Sequence, residues 1–129
     1  MKIRYLLFLL FFLLVGCSNV AINKETFVKK IDANFNNILM VSNQELESYN
    51  IDISKFKDFV FKITNDNKYL YILVLPTNKK EAEKEIEKFL NKKEINNYYD
   101  NTFGDYLFYI VSDNNKNIYK EMKEFVNKK

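Results

Sequence analysis

The segment that determines the fold class reads Tyr69-Leu70-Tyr71-Ile72-Leu73-Val74-Leu75. It is apolar at every position, which is typical of a central strand covered on both faces. Pro76, the only proline in the chain, follows directly and ends the strand. We therefore predict a strand over residues 69–75 that lies in the middle of a sheet.

The residues before this segment predict a second strand that pairs with it. Apolar Phe59, Phe61 and Ile63 alternate with Val60, Lys62 and Thr64, as in a half-buried strand over 59–64. The intervening run Asn65-Asp66-Asn67-Lys68 consists of residues that favour turns. The two strands are therefore expected to form a hairpin.

The residues after Pro76 predict a helix and then a third strand. Asn78 with Glu81 three residues later favours a helix start, and the helix over 79–95 has an apolar stripe on an otherwise charged surface. A loop over 96–105 contains Gly104, and an apolar strand follows over 106–111. Since a strand–helix–strand unit favours a parallel pair with a right-handed crossover, a small mixed three-stranded sheet is predicted.

Helices are also predicted on both sides of this unit. Asn23 can cap a helix over 24–36, and Asp113 or Asn114 can cap one over 115–127. Ser42 and Glu45 form a capping-box pattern for a short helix to about Tyr49. The fold class is therefore α/β (α+β), one globular domain over residues 24–129 with three main helices.

The N-terminal segment has the pattern of a secretory signal peptide over residues 1–16. Lys2 and Arg4 precede an unbroken apolar run over residues 6–15, and Gly16 follows it. A helix over the apolar run would extend only about 15 Å, against a bilayer core of about 30 Å. The run is therefore too short for a membrane-spanning anchor.

The end of this segment, Leu14-Val15-Gly16-Cys17, resembles the lipobox of bacterial lipoproteins. The resemblance implies cleavage between Gly16 and Cys17 and attachment of a diacylglycerol to the Cys17 thiol. The membrane is then the first partner, and the protein lies on its extracytoplasmic face. Residues 17–23 form the lipidated cysteine and a short tether, in which Ser18–Asn23 extend at most about 22 Å.

The remaining chain is similar to a family of small lipoproteins of unknown function that is common in low-GC Gram-positive bacteria. The similarity lies in the pattern of Phe27-Val28-Lys29-Lys30-Ile31, of Leu46-Glu47-Ser48-Tyr49-Asn50-Ile51-Asp52 and of Tyr106-Leu107-Phe108-Tyr109-Ile110-Val111-Ser112. It covers most of residues 24–128, although the family often has glycine where this chain has Asn50. The resemblance implies no activity, cofactor or catalytic residue.

Composition and charge exclude several function classes. Without residues 1–16 the chain has 18 basic and 17 acidic residues, and these are interspersed, which argues against nucleic acid as a partner. Histidine is absent and Cys17 is the only cysteine, so neither a histidine-activated nucleophile nor a zinc site is predicted. Asp113 begins a partial match to a calcium loop, but Ile118 occupies the position of its glycine. No metal or cofactor is predicted.

The aromatic residues are the candidates for an interaction surface. Tyr69, Tyr71, Tyr106 and Phe108 share one face of two apolar strands, which stays exposed if the long helices all pack on the other face. Tyr98 and Tyr99, in the loop before Gly104, are a second candidate. The competing interpretation is that these rings pack in the core.

These observations favour a non-catalytic binding domain anchored at the membrane, with an envelope protein or glycan as its partner. The alternative from another class is a cell-envelope hydrolase that uses carboxylates alone. A small immunity or exclusion lipoprotein is a third hypothesis.

Overall fold

The computed structural model describes residues 23–127, which form one five-stranded sheet with helices on both faces. The strands are β1 (Ile38–Met40), β2 (Phe56–Thr64), β3 (Leu70–Pro76), β4 (Tyr99–Phe103) and β5 (Tyr106–Val111). The helices are α1 (Lys24–Asp32), α2 (Asn43–Ser48), α3 (Lys79–Lys92) and α4 (Asn115–Asn127), and a 3₁₀ turn spans Ile53–Lys55. The strand order is β1-β2-β3-β5-β4, and every neighbouring pair is antiparallel.

The central position of the apolar segment is confirmed. β3 lies between β2 and β5, and its residues 70–74 are all buried. Leu70, Ile72 and Val74 pack in a core layer with residues of α2 and α3. Tyr71 and Leu73 pack in the opposite layer with residues of α1 and α4. The β2–β3 hairpin is also confirmed.

The predicted three-stranded sheet with a parallel pair is wrong. The segment taken for a loop over 96–105 contains β4, whose middle residues Asp100-Asn101-Thr102 are exposed at the sheet edge. The crossover through α3 therefore ends on β4, which runs in the direction of β3. At Gly104, with a φ of 58°, the chain turns back into β5. β5 then inserts between β3 and β4 and is antiparallel to both.

Two helices end earlier than predicted, and both ends lie near residues in the left-handed region. α1 ends at Asp32 because the chain turns towards Asn37, at φ 58°, and residues 38–40 form an edge strand. α3 ends at Lys92, and Glu94 takes a φ of 58°. α4 and β5 have the predicted bounds, β2 begins at Phe56 instead of 59, and β3 is displaced by one residue.

The predicted helix starts are confirmed where a cap is seen. The side chains of Asn23, Ser42 and Asn78 each accept a hydrogen bond from a backbone N–H three residues later, at 3.1–3.3 Å. Asn50, two residues after the end of α2, has a φ of 61°. In addition, the Ile51 N–H donates to the Leu46 carbonyl at 3.1 Å, as in a Schellman motif. A glycine would suit the position of Asn50 equally well.

Two ion pairs hold α1 along β2. Lys24 Nζ lies 2.6 Å from Asp58 Oδ1, and Lys62 Nζ lies 2.7 Å from Asp32 Oδ2. The spacing agrees, because eight helical steps and four strand steps both cover about 12–13 Å. α1 therefore runs in the direction of β2. We call the end of the sheet at Lys24 and Asp58 the entry end, and the opposite end the cleft end.

Candidate functional site

Three chain reversals meet at the cleft end of the sheet. They are the α1–β1 loop, the β2–β3 turn and the β5–α4 junction. The strand register brings them together, because Ile38 pairs with Thr64, Ile63 with Leu70, and Leu70 with Val111. Between them lies a cleft of about 660 Å³, which is within the range of small-molecule sites. We call it the amide cleft.

Asparagine dominates the lining of the amide cleft. Six of the 14 lining residues are asparagines: Asn34, Asn36, Asn37, Asn65, Asn114 and Asn117. The lining also has three carboxylates and no lysine. Residues 23–127 contain 17 asparagines and 16 lysines. The two residue types are thus almost equally common in the described chain, whereas the lining has six asparagines and no lysine.

Hydrogen bonds fix the two acidic turns that border the cleft. The Thr64 hydroxyl donates to Asp66 Oδ1 at 2.6 Å, and the Lys68 N–H donates to the same oxygen at 3.0 Å. Both bonds stabilise the charged carboxylate and lower the pKa of Asp66. The Tyr69 hydroxyl donates to Asp113 Oδ1 at 2.6 Å, which raises the pKa of Tyr69. Tyr69 thereby links the β2–β3 turn to the β5–α4 junction.

Most of the amide side chains in the cleft remain free for a ligand. Asn34 is the exception, because its Nδ2 donates to the carbonyls of Lys30 and Ile31 at the end of α1. Among residues 23–127, the side-chain hydrogen bonds do not involve the amide groups of the other five cleft asparagines. Each free amide offers two donors and an acceptor oxygen. The cleft can therefore bind a group that both donates and accepts hydrogen bonds.

The structure separates the four rings of the predicted aromatic surface. Tyr71 and Phe108 are fully buried, because α1 and α4 cover this face of the sheet while α2 and α3 cover the other. These two residues therefore belong to the core. Tyr69 lines the amide cleft, whereas Tyr106 lies at the entry end with its hydroxyl 3.3 Å from Asp58 Oδ2.

Tyr98 and Tyr99 lie on opposite faces of the sheet. Tyr98 packs against Tyr109 on the α3 side, with ring centroids 5.5 Å apart. Tyr99 packs against Tyr119 on the α4 side at 5.4 Å. Both tyrosines are half-buried. They therefore do not form one surface.

Sequence reasoning missed the asparagines of the cleft. The available signal was their position, because Asn36-Asn37, Asn65 and Asn114 each occur where an apolar segment begins or ends. These residues were interpreted separately, as a helix end, a turn and a cap. Only the strand order brings them to one place.

Within the described part of the chain, no group of three or more His, Cys, Asp or Glu residues is placed to hold a metal ion. No helix over residues 23–127 is long and apolar enough to cross a membrane.

In comparisons with known proteins, no family model, curated protein or solved structure matched the chain.

Proposed function

We propose that the protein is a lipid-anchored, extracytoplasmic binding domain that takes a polar ligand in the amide cleft. The anchor rests on the sequence Leu14-Val15-Gly16-Cys17 and its signal-like flank. Residues 1–22, which include the predicted signal peptide and Cys17, lie outside the described residues. A diacylglycerol supplies two acyl chains, which suffice for stable anchoring where one chain does not.

The observation that carries the binding role is the convergence of five free amide side chains on one cleft. They come from three separate chain reversals, and a binding site that draws on several loops of a rigid scaffold is a common arrangement. The sheet supplies the scaffold, because the strands that lead into these reversals are mostly buried. The sheet therefore holds these amide side chains on a rigid scaffold.

Two of the three cleft carboxylates, Asp66 and Asp113, give the hydrolase alternative little support. A two-carboxylate hydrolase needs one carboxyl group with a raised pKa to protonate the leaving group. The pKa of Asp66 is lowered by the Thr64 hydroxyl and the Lys68 N–H. Asp113 accepts a hydrogen bond from Tyr69. Both groups stabilise their turns, which favours a non-catalytic role.

The anchor is tested by growing cells with a tagged fatty acid. The wild-type chain is expected to take up the label and to sediment with membranes. Cys17→Ser should lose the label and either leave the membrane fraction or accumulate as an uncut precursor, because it has no thiol for a thioether bond. A Ser18→Ala variant is the matched control and should retain the label. An unlabelled wild-type chain would contradict the proposed anchor.

A further inference from the structure

The amide cleft and the start of α1, which the proposed anchor precedes in the sequence, lie at opposite ends of the domain. α1 begins at the entry end, where Lys24 pairs with Asp58, and ends at Asp32, which pairs with Lys62. The cleft lining begins two residues after Asp32, at Asn34. The axis of α1 alone separates the two ends by about 12 Å. This point rests on the proposed function, since it takes Cys17 as the attachment point.

The proposed tether between the anchor and α1 is short. Six residues, Ser18–Asn23, connect Cys17 to α1 and extend at most about 22 Å. The cleft is on the side of the domain away from the residue at which this tether joins α1. A ligand from the surrounding envelope can therefore reach the cleft without contacting the lipid to which the protein is attached.

The charge of the cleft restricts the chemistry of that ligand. Asp66, Asp113 and Glu121 line it, and no lysine does. An anionic ligand would meet like charges without a compensating cation. The ligand is therefore neutral or carries positive charge.

The hydrogen-bonding groups restrict the ligand further. Hydroxyl groups both donate and accept hydrogen bonds, as the free amides do. An acetamido group matches a carboxamide in the same way, donating through its N–H and accepting through its oxygen. Phe35 and Tyr69 add apolar ring area to the lining, which suits the C–H faces of a sugar ring. An extended peptide would instead pair with a strand edge, whereas this cleft lies across the strand ends.

We propose that the amide cleft binds a neutral glycan that carries N-acetylated sugars and holds it on the side of the domain away from the membrane. The five free asparagine amides contact hydroxyl and acetamido groups. Tyr69, held by Asp113, supplies a ring of fixed position.

Binding is tested with chitotetraose, a neutral N-acetylglucosamine tetramer, titrated into the full chain and followed by calorimetry. The wild type is expected to bind, and the double variant Asn65→Ala/Asn117→Ala to bind at least tenfold more weakly. Asn96→Ala/Asn97→Ala is the matched control, because both residues are exposed outside the cleft, and it should bind as the wild type does. Thermal unfolding of each variant verifies that it is folded.

Three results of this titration would overturn the glycan proposal. They are no binding of chitotetraose at millimolar concentration, an equal loss in the cleft and control variants, and equal affinity for cellotetraose, which lacks the acetamido groups. None of them depends on the anchor. The glycan proposal and the lipid anchor can therefore fail separately.

The orientation is tested with a fluorescent probe on the lipidated protein in vesicles that contain a headgroup quencher. Once Cys17 is in thioether linkage, a cysteine introduced elsewhere is the only free thiol in the chain. A probe at Lys79→Cys, at the entry end, should be quenched at least twice as strongly as a probe at Asn65→Cys. Equal or reversed quenching would overturn the orientation, and mass spectrometry shows independently whether the lipid is present.

Discussion

Replacing Tyr71 with phenylalanine tests the contacts that hold α1 against the sheet. The Tyr71 hydroxyl donates to Asp32 Oδ1 at 2.6 Å, and Lys62 holds the other carboxylate oxygen. Asp32 lies in the last turn of α1, where the helix dipole disfavours negative charge. The two donors offset this unfavourable position of the carboxylate. Tyr71→Phe removes one donor and keeps the ring, which stacks against Phe35 at 6.0 Å.

The size of the effect follows from the surroundings of Asp32. A hydrogen bond to a charged group contributes about 1.5–3 kcal/mol. The Asp32 side chain is 30% exposed and keeps its ion pair with Lys62, so water can replace part of the lost bond. We expect a loss of about 1.5 kcal/mol in the free energy of unfolding at pH 7, which corresponds to a fall of about 6 °C in Tm.

The pH dependence gives the same experiment a second measurement. Burial and the adjacent Asp32 raise the pKa of Tyr71 above its usual value of 10.0. A raised pKa in the folded state means that the contribution of Tyr71 is fully present below about pH 10 and declines as the pH rises further. The stability difference between the wild type and Tyr71→Phe should therefore shrink above pH 10.

Denaturant titrations from pH 7 to pH 11 measure both effects on a chain that lacks residues 1–22. Tyr119→Phe is the matched control, because its hydroxyl makes only a 3.4 Å contact with the Thr102 carbonyl in a half-buried position. We expect the control to lose less than about 0.5 kcal/mol. The reasoning is refuted if Tyr71→Phe changes stability no more than the control does, or if the difference stays constant to pH 11.

Three further predictions concern the core, a helix end and a sheet edge. In denaturant titrations, Ile72→Ala in the middle of β3 should lower the free energy of unfolding by about 2–5 kcal/mol. Lys84→Ala, at an exposed position, should lower it by less than about 0.5 kcal/mol. Equal losses in the two variants would contradict the assignment of β3 as the central strand. Glu94→Gly should stabilise the fold by about 1 kcal/mol, because glutamate is strained at a φ of 58°, and a lowered Tm would contradict this. Met40→Lys should reduce aggregation at high concentration, measured by light scattering, without shifting Tm, because Met40 is 66% exposed on an edge strand.

The parts of the fold that depend on local signals could be predicted from the sequence. The unbroken apolar run of residues 69–75 identified the central strand, and the polar run at Asn65 identified the hairpin turn. Asn23, Ser42 and Asn78 marked helix starts because a cap is formed within four residues. These features need no knowledge of distant contacts.

The topology could not be predicted, because one edge strand carries no apolar pattern. Asp100-Asn101-Thr102 is exposed in β4, so this segment has the composition of a loop. Because β4 was not predicted, the crossover through α3 was expected to end on β5. That connection made β5 parallel to β3, whereas the two strands are antiparallel. In that arrangement Asn114 would lie at the opposite end of the sheet from Asn65. Because β4 was not predicted, the position of the amide cleft could not be predicted either.

The two helices that cover one face of the sheet come from opposite ends of the described chain. α1 begins at Lys24 and α4 ends at Asn127, yet both pack on Tyr71, Leu73 and Phe108. During synthesis the N-terminal part of a chain emerges first, so this apolar face cannot be closed until the last helix has been made. A product that stops at Val111 would display these side chains, and surfaces of this kind promote aggregation. Interrupted synthesis should therefore leave insoluble chains that quality-control proteases remove.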